Sequence, residues 1–257
     1  MKEISFEEAK QLELDIIVDI TNFCDSHGLR YCSAYGTLIG AIRHRGFIPW
    51  DDDIDLGMMR SDYERLIELL KEDENLVLQY GSNGRHKCFV KIRHKVFERI
   101  FIDIFPYDMY FSKTNSKEKA KLHNLIKKVS DGLKHSLIKE NNPEKLYKKL
   151  KKITNKKILK NKIVKEEDKP SLFWGIDFPH GWKNRVYDWE DIFPLTEVRY
   201  ENFSFPAPAN VHNVLSNIYG EYMKLPKDAY PRHMHINGLN DLEKEKLYKL
   251  IEISKNL

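Results

Sequence analysis

The sequence predicts an α+β fold, a mixed β-sheet flanked by helices, with a Lys-rich helical insert. Three observations point to it. An apolar stripe at helical spacing runs up to Gly28, and several later stretches alternate apolar and polar residues with the period of two that strands need. The segment from Lys113 to Lys169 is helical in pattern and holds 19 Lys against 7 acidic residues.

Taken in order, Ser5-Phe6-Glu7-Glu8 reads as a capping box, and Leu12, Ile16, Ile20 and Phe23 follow as a core-facing stripe until Gly28 ends the helix. "LRYCSA" reads as a short strand. In "YGTLIGAIRHRG", Gly36 supplies a sharp turn, Thr37 caps, and a short helix runs to His44 before Gly46 stops it. Asp53 to Met59 reads as a strand. A second capping box, Ser61-Asp62-Tyr63-Glu64, opens the helix "DYERLIELLKE". "CFVKIRHKV" and "RIFIDIFPYD" read as two strands of a hairpin joined by a short "FE" link. From about Ser116 to Glu167 the pattern is helical, with Pro143 separating two helices. The last third, rich in Pro, Trp and Tyr, reads as irregular until a final helix, "DLEKEKLYKLIEI". There is no internal repeat.

Composition narrows the class. The chain has 257 residues, 41% of them hydrophobic and 12% aromatic, as in an ordinary globular protein. No apolar run approaches the roughly 20 residues of a membrane span. "MKEISFEEAK" lacks the apolar core of a signal peptide, so the expected location is cytoplasmic. Cys24, Cys32 and Cys88 form no Cys-x-x-Cys pair and read as reduced thiols. The net charge of +4 is uneven: the Lys-rich segment carries an excess of 12 positive charges, which leaves the remainder at −8. The plain reading of that segment is helices with solvated Lys faces. The sharper reading is peripheral contact with anionic lipid at the inner face of the membrane, where about 1 kcal/mol per surface Lys is available. The near absence of Arg and aromatics there argues against nucleic acid.

"GFIPWDDDIDLGMM" holds four aspartates in five positions. Two like charges about 4 Å apart at an effective dielectric near 20 repel by roughly 4 kcal/mol, so the cluster needs a reason. In a strand, Asp53 and Asp55 share one face while Ile54 and Leu56 enter the core. An acidic helix N-terminus is disfavoured by Gly57 and by the fresh helix start at Ser61, and a solvated loop leaves the alternation unexplained. Asp103, between apolar neighbours in "IFIDIF", is a third carboxylate whose burial alone would cost several kcal/mol. Arg93 or backbone N–H groups would be its competing partners. Three carboxylates on adjacent strands suit Mg²⁺ or Mn²⁺, as one ion or two, and such ions serve phosphoryl transfer. Gly36 and Thr37 at a helix start offer N–H groups, a hydroxyl and a favourable dipole to phosphate. Arg43, His44, Lys91 and Arg93 are candidate cations for a diphosphate, although for each one alone a surface ion pair is the commoner explanation. Asp51 and Asp52 read as supporting residues around the metal. Trp50 either stacks on a base or packs in the core.

"GTLIGAIRHRGFIPWDDDIDLGMMRSDYERL" resembles the signature of the LicD family, a group of nucleotidyltransferase-fold enzymes related to the fukutin-type ribitol-phosphate transferases. "FIDIFPYD" and "NVLSNIYGEYMKLP" resemble two later elements of the same family, and Ile39 replaces a family Leu. The resemblance implies transfer of a phospho-alcohol, phosphocholine from CDP-choline first among them. The acceptor would be a sugar hydroxyl of a cell-surface glycan, such as lipopolysaccharide or teichoic acid, or its lipid-linked precursor, and CMP would be released. It assigns metal binding and catalysis to Asp53, Asp55 and Asp103, and the family's Gly-[Thr/Ser] element to Gly36 and Thr37. Asp103 is the candidate base, with His233 or His235 in "YPRHMHING" as rivals; Tyr219, Arg232 and His233 fall on the acceptor side. The implied division is a core with the metal site over 1–112, the insert over 113–169, and the C-terminal part of the same catalytic domain over 170–257. Two alternatives stand beside this reading: a nucleotidyltransferase attaching NMP to a small molecule, RNA or protein, and a non-catalytic nucleotide- or glycan-binding module.

Overall fold

The first apolar stripe buries as its spacing requires. In the computed structural model, helix α1 (Phe6–Ser26) places Ile16 and Ile20 in the core, with Leu12 and Phe23 at its margin. It ends in a Schellman motif. Gly28 takes φ 63°, its N–H reaches the Asp25 carbonyl, and the Leu29 N–H reaches that of Cys24. The structure describes residues 6–51, 53–71, 76–81, 89–94, 101–110, 171–174 and 186–225, together with Glu245 and Lys249. The expectations for Ser5, Asp52, Cys88, the "FE" link, the Lys-rich segment, Arg232, His233 and His235 lie outside these residues. So does the final helix, apart from the helical pair Glu245 and Lys249, whose side chains meet at 2.7 Å.

After α1 come β1 (Tyr31–Ser33), α2 (Tyr35–Arg43), β2 (Ile54–Met59), α3 (Arg60–Leu70), β3 (Leu76–Gly81), β4 (Phe89–His94) and β5 (Phe101–Tyr110). The C-terminal part adds β6 (Ser171–Trp174), β7 (Val186–Asp188), α4 (Trp189–Ile192), β8 (Thr196–Tyr200), β9 (Phe203–Ala207) and α5 (Val211–Tyr219). The main sheet runs β1-β2-β5-β4-β3, with β6 also pairing β5 and β7 pairing β6. It is mixed: β2 and β5 are parallel and the other ladders antiparallel, including the expected β4–β5 pair. A separate hairpin, β8–β9, packs beside β1 and α2.

Alternation sorts the two faces of the sheet. Ile54, Leu56 and Met58 of β2, Val90 and Ile92 of β4, and Ile102 and Ile104 of β5 meet α1 and α3 in one core. On the opposite face, Met59, Phe105 and Tyr107 join Leu38 and Ile39 of α2, Leu172 of β6 and Val214 and Leu215 of α5 in a second core. Asp55 and Asp103 share the alternation of Met59, Phe105 and Tyr107 and so point to this second face.

Four local expectations are corrected. The turn into α2 falls on Tyr35 (φ 38°), whereas Gly36 is helical and Thr37 sits inside the first turn without capping it. The N-cap of α3 is Met59 and makes no side-chain bond, because β2 runs almost straight into the helix. Ser61 is therefore already helical, and Asp62 pairs with Arg30 at 3.1 Å. β3 carried no clear signal beforehand. The irregular C-terminal third instead contains two strand pairs and α5; its strands are three to five residues long, one holds Pro206, and β6 is set by pairing with β5, far away in sequence.

Candidate metal centre

Two adjacent parallel strands bring the acids together. The register places Asp55 of β2 beside Asp103 of β5, and Asp53 precedes β2 by one residue. One oxygen from each of Asp53, Asp55 and Asp103 lies within 4.8 Å of the others. All three are only 6–9% exposed, so water screens them poorly. Burial pushes the Asp55 carboxyl well above the usual carboxylate range, and the charges of Asp53, Asp103 and Asp51 push the same way. The Gly36 N–H donates to Asp55 Oδ2 at 3.1 Å and opposes that rise. The donor set fits a hard divalent cation: every candidate ligand is a carboxylate oxygen, and the repulsion that raises Asp55 is what a metal ion would neutralise.

The N-terminal end of α2 acts on this cluster directly. Thr37, buried in the first turn, accepts the Asp55 N–H on Oγ1 at 2.8 Å. The Ala34 N–H donates to the Asp55 carbonyl at 3.0 Å. The N–H and hydroxyl expected to face phosphate are thus engaged with Asp55. Thr37→Val keeps the shape and removes the acceptor, leaving a buried N–H without its partner. We expect a loss of about 1–3 kcal/mol in denaturant unfolding. An unchanged midpoint would mean that this bond is replaced.

Gly36 serves by being small. A Cβ there would lie 2.3 Å from Asp51 Oδ2 and 3.6 Å from Asp55 Oδ2. Asp51 therefore borders the cluster, although it stands outside the set of three convergent oxygens. Two further glycines close the loop behind α2: a Cβ on Gly40 would strike the Gly46 carbonyl at 2.3 Å, and one on Gly46 would strike Glu201 Oε1 at 2.0 Å. Glu201 Oε1 also accepts the Phe47 N–H at 3.0 Å. This anchor was missed from sequence, since its partners lie 154 residues apart.

The expected cations divide by environment. Lys91 of β4 sits opposite Asp103 in the register, buried, with Nζ 2.5 Å from Asp103 Oδ1 and 3.6 Å from the centre of the Phe101 ring. Arg93, two residues on, lies over the same ring at 5.2 Å. Arg43 donates from Nη1 to the Tyr222 carbonyl at 2.9 Å and lies 5.8 Å from the Trp50 ring centre. Trp50 packs on the second core, as the core reading expected. Tyr222 is buried there too, while Tyr219 is exposed at the end of α5. Outside the cluster, Arg60 clamps Asp108 through two bonds of 2.8 and 2.9 Å, tying the start of α3 to β5. Asp108 lies in the quoted "FIDIFPYD", but nothing in the sequence marked Arg60 as its partner.

His44 supplies no positive charge at neutral pH. Burial, followed by the charges of Arg43 and Lys10, brings its pKa down from 6.5 to about 4. Between those pH values the unfolded chain gains a proton that the native imidazole refuses, so stability falls as pH drops through 6.5 toward 4. His44→Gln should therefore lose less melting temperature than wild type between pH 7 and pH 5 in scanning calorimetry. Equal losses would contradict this account of His44.

Residues 28–129 match the family model described as LicD/FKTN/FKRP, nucleotidyltransferase domain. The chain is 29% identical over 259 residues to the lipopolysaccharide cholinephosphotransferase LicD of Haemophilus influenzae, covering 91% of this chain and 98% of that protein. It is 30% identical over 121 residues to an uncharacterized protein of Rickettsia typhi, covering 43% of this chain and 39% of that one. It is 26% identical over 92 residues to the human ribitol 5-phosphate transferase FKRP, covering 34% of this chain and 19% of FKRP. Among the described residues, no helix is long and apolar enough to cross a membrane.

Proposed function

The chain belongs to the LicD family, and from that premise we propose that it transfers a phospho-alcohol from a CDP-linked donor to a sugar hydroxyl of a cell-surface glycan or its lipid-linked precursor. Phosphocholine is the first candidate, CMP is the second product, and the reaction belongs on the cytoplasmic side of the membrane. The observation that carries this reading is the likeness to LicD along 91% of the chain, joined to the buried triad Asp53, Asp55 and Asp103. A nucleotidyltransferase-like fold is part of it. So is the reading of 1–112 and 170–257 as two parts of one catalytic domain, supported by the pairing of β6 with β5 in one sheet.

In this mechanism Asp53, Asp55 and Asp103 hold Mg²⁺ or Mn²⁺, which when bound supplies charge stabilisation to the phosphoryl group. Arg43 and Arg93 add fixed positive charge for the donor diphosphate, while Lys91, expected for the same task, is held on Asp103. The acceptor oxygen forms a bond to the phosphorus bearing the alcohol. The bond from that phosphorus to the bridging oxygen breaks, and CMP leaves with the electron pair. Asp103 takes the hydroxyl proton, with its other charge partner, Lys91, fixing its orientation.

The test is incubation with CDP-choline, CDP-ribitol or CDP-glycerol, Mg²⁺ and glycan acceptors. CMP release matched by phospho-alcohol on the acceptor is expected. Pyrophosphate release from an NTP, with none of the three donors consumed, would overturn the reading in favour of nucleotidyl transfer.

A further inference from the structure

Charge counting around the triad singles out Lys91. Asp53, Asp55 and Asp103 converge within 4.8 Å and carry three negative charges when ionised. The Lys91 ammonium, 5% exposed, lies 2.5 Å from one oxygen of Asp103 and rests against the face of Phe101. It is built into the sheet: the β4–β5 register puts Lys91 directly opposite Asp103, and both side chains are buried there. Among the described residues no second set of three ligands converges beside the first, and Asp51 stands outside it. One divalent ion and one ammonium balance three carboxylates. A second divalent ion on the Asp103 side would meet a buried positive charge already in place.

We propose that Lys91 takes the place of a second divalent ion, making this a centre that by itself holds one metal ion, with any further ion arriving only with the nucleotide. The inference rests on the metal-dependent reading above and deepens it. Lys91 is a positioning residue here: it fixes Asp103 and completes the charge of the site.

The experiment is a Mn²⁺ titration followed by electron paramagnetic resonance, using the full chain without nucleotide. Wild type should saturate at one ion per chain. Lys91→Ala and Lys91→Met should take up a second ion, and Lys91→Arg, which keeps the charge, should stay at one. Circular dichroism of each variant reports whether the fold persists; the wild-type count tests the proposal even where a variant fails to fold. Two ions in nucleotide-free wild type, or folded Ala and Met variants that still bind one, would overturn the proposal and leave the metal-dependent reading standing. No ion in wild type would overturn both.

Discussion

Asp55→Asn is expected to abolish transfer while making the metal-free protein more stable. Activity should fall by roughly three orders of magnitude or more, because the proposed metal centre would lose a ligand and its charge together. The fold should survive. The Thr37 bond goes to the Asp55 main-chain N–H, and an amide oxygen at position 55 can still accept from Gly36. Stability should rise by about 1–2 kcal/mol in metal-free buffer at neutral pH, since a carboxylate held against burial and the charges of Asp53, Asp103 and Asp51 is gone. The sign follows from linkage. The folded pKa is raised, so the native state binds more protons than the unfolded chain between the ordinary carboxylate range and that raised value, and stability falls as pH rises through this window. The variant should lose that slope, and its melting temperature should no longer respond to Mg²⁺. CMP release, calorimetry with and without Mg²⁺, and the pH dependence of melting check the three parts. Retained activity would remove Asp55 from the metal centre.

Gly36→Ala should separate activity from stability in a different way. The new methyl group would overlap Asp51 Oδ2 at 2.3 Å, closer than any real contact, and the movable partner is the Asp51 carboxylate. Gly36 is helical and needs no left-handed backbone, so alanine brings no strain of its own and gains up to about 1 kcal/mol in helix propensity. The melting temperature should stay within a few degrees. Turnover should fall about 100-fold, the scale of loss for a displacement of about 1 Å beside reacting groups. Steady-state CMP release with a thermal melt of the same sample provides the measurement. Full activity would show that Asp51 can move without consequence and has no part in placing the site.

The acidic centre was the most legible feature because its logic is local. Alternation of Asp53, Ile54, Asp55 and Leu56 assigns faces with no knowledge of the partner strand, and apolar flanks mark Asp103 as buried. Lys91 was visible as one of several cations by the same period of two. Its pairing with Asp103 was not, because the β4–β5 register depends on where the hairpin folds back. Glu201 was illegible for a related reason: its value lies in filling the space that Gly46 leaves and in accepting the Phe47 N–H, and neither partner is near it in sequence. The short C-terminal strands were hidden because their β structure comes from neighbours across the sheet, and a run of three to five residues containing Pro carries too little pattern of its own.

Sequence alone determined which acids cluster and which sides of the strands they share, since periodicity and the cost of burying charge act within a few residues of chain. Tertiary structure decided what surrounds each charge. It set Thr37 and Gly36 on Asp55 rather than facing outward, made His44 neutral beside Arg43, and placed Lys91 on Asp103, because electrostatics and burial depend on distances between strands and helices that the linear order does not fix.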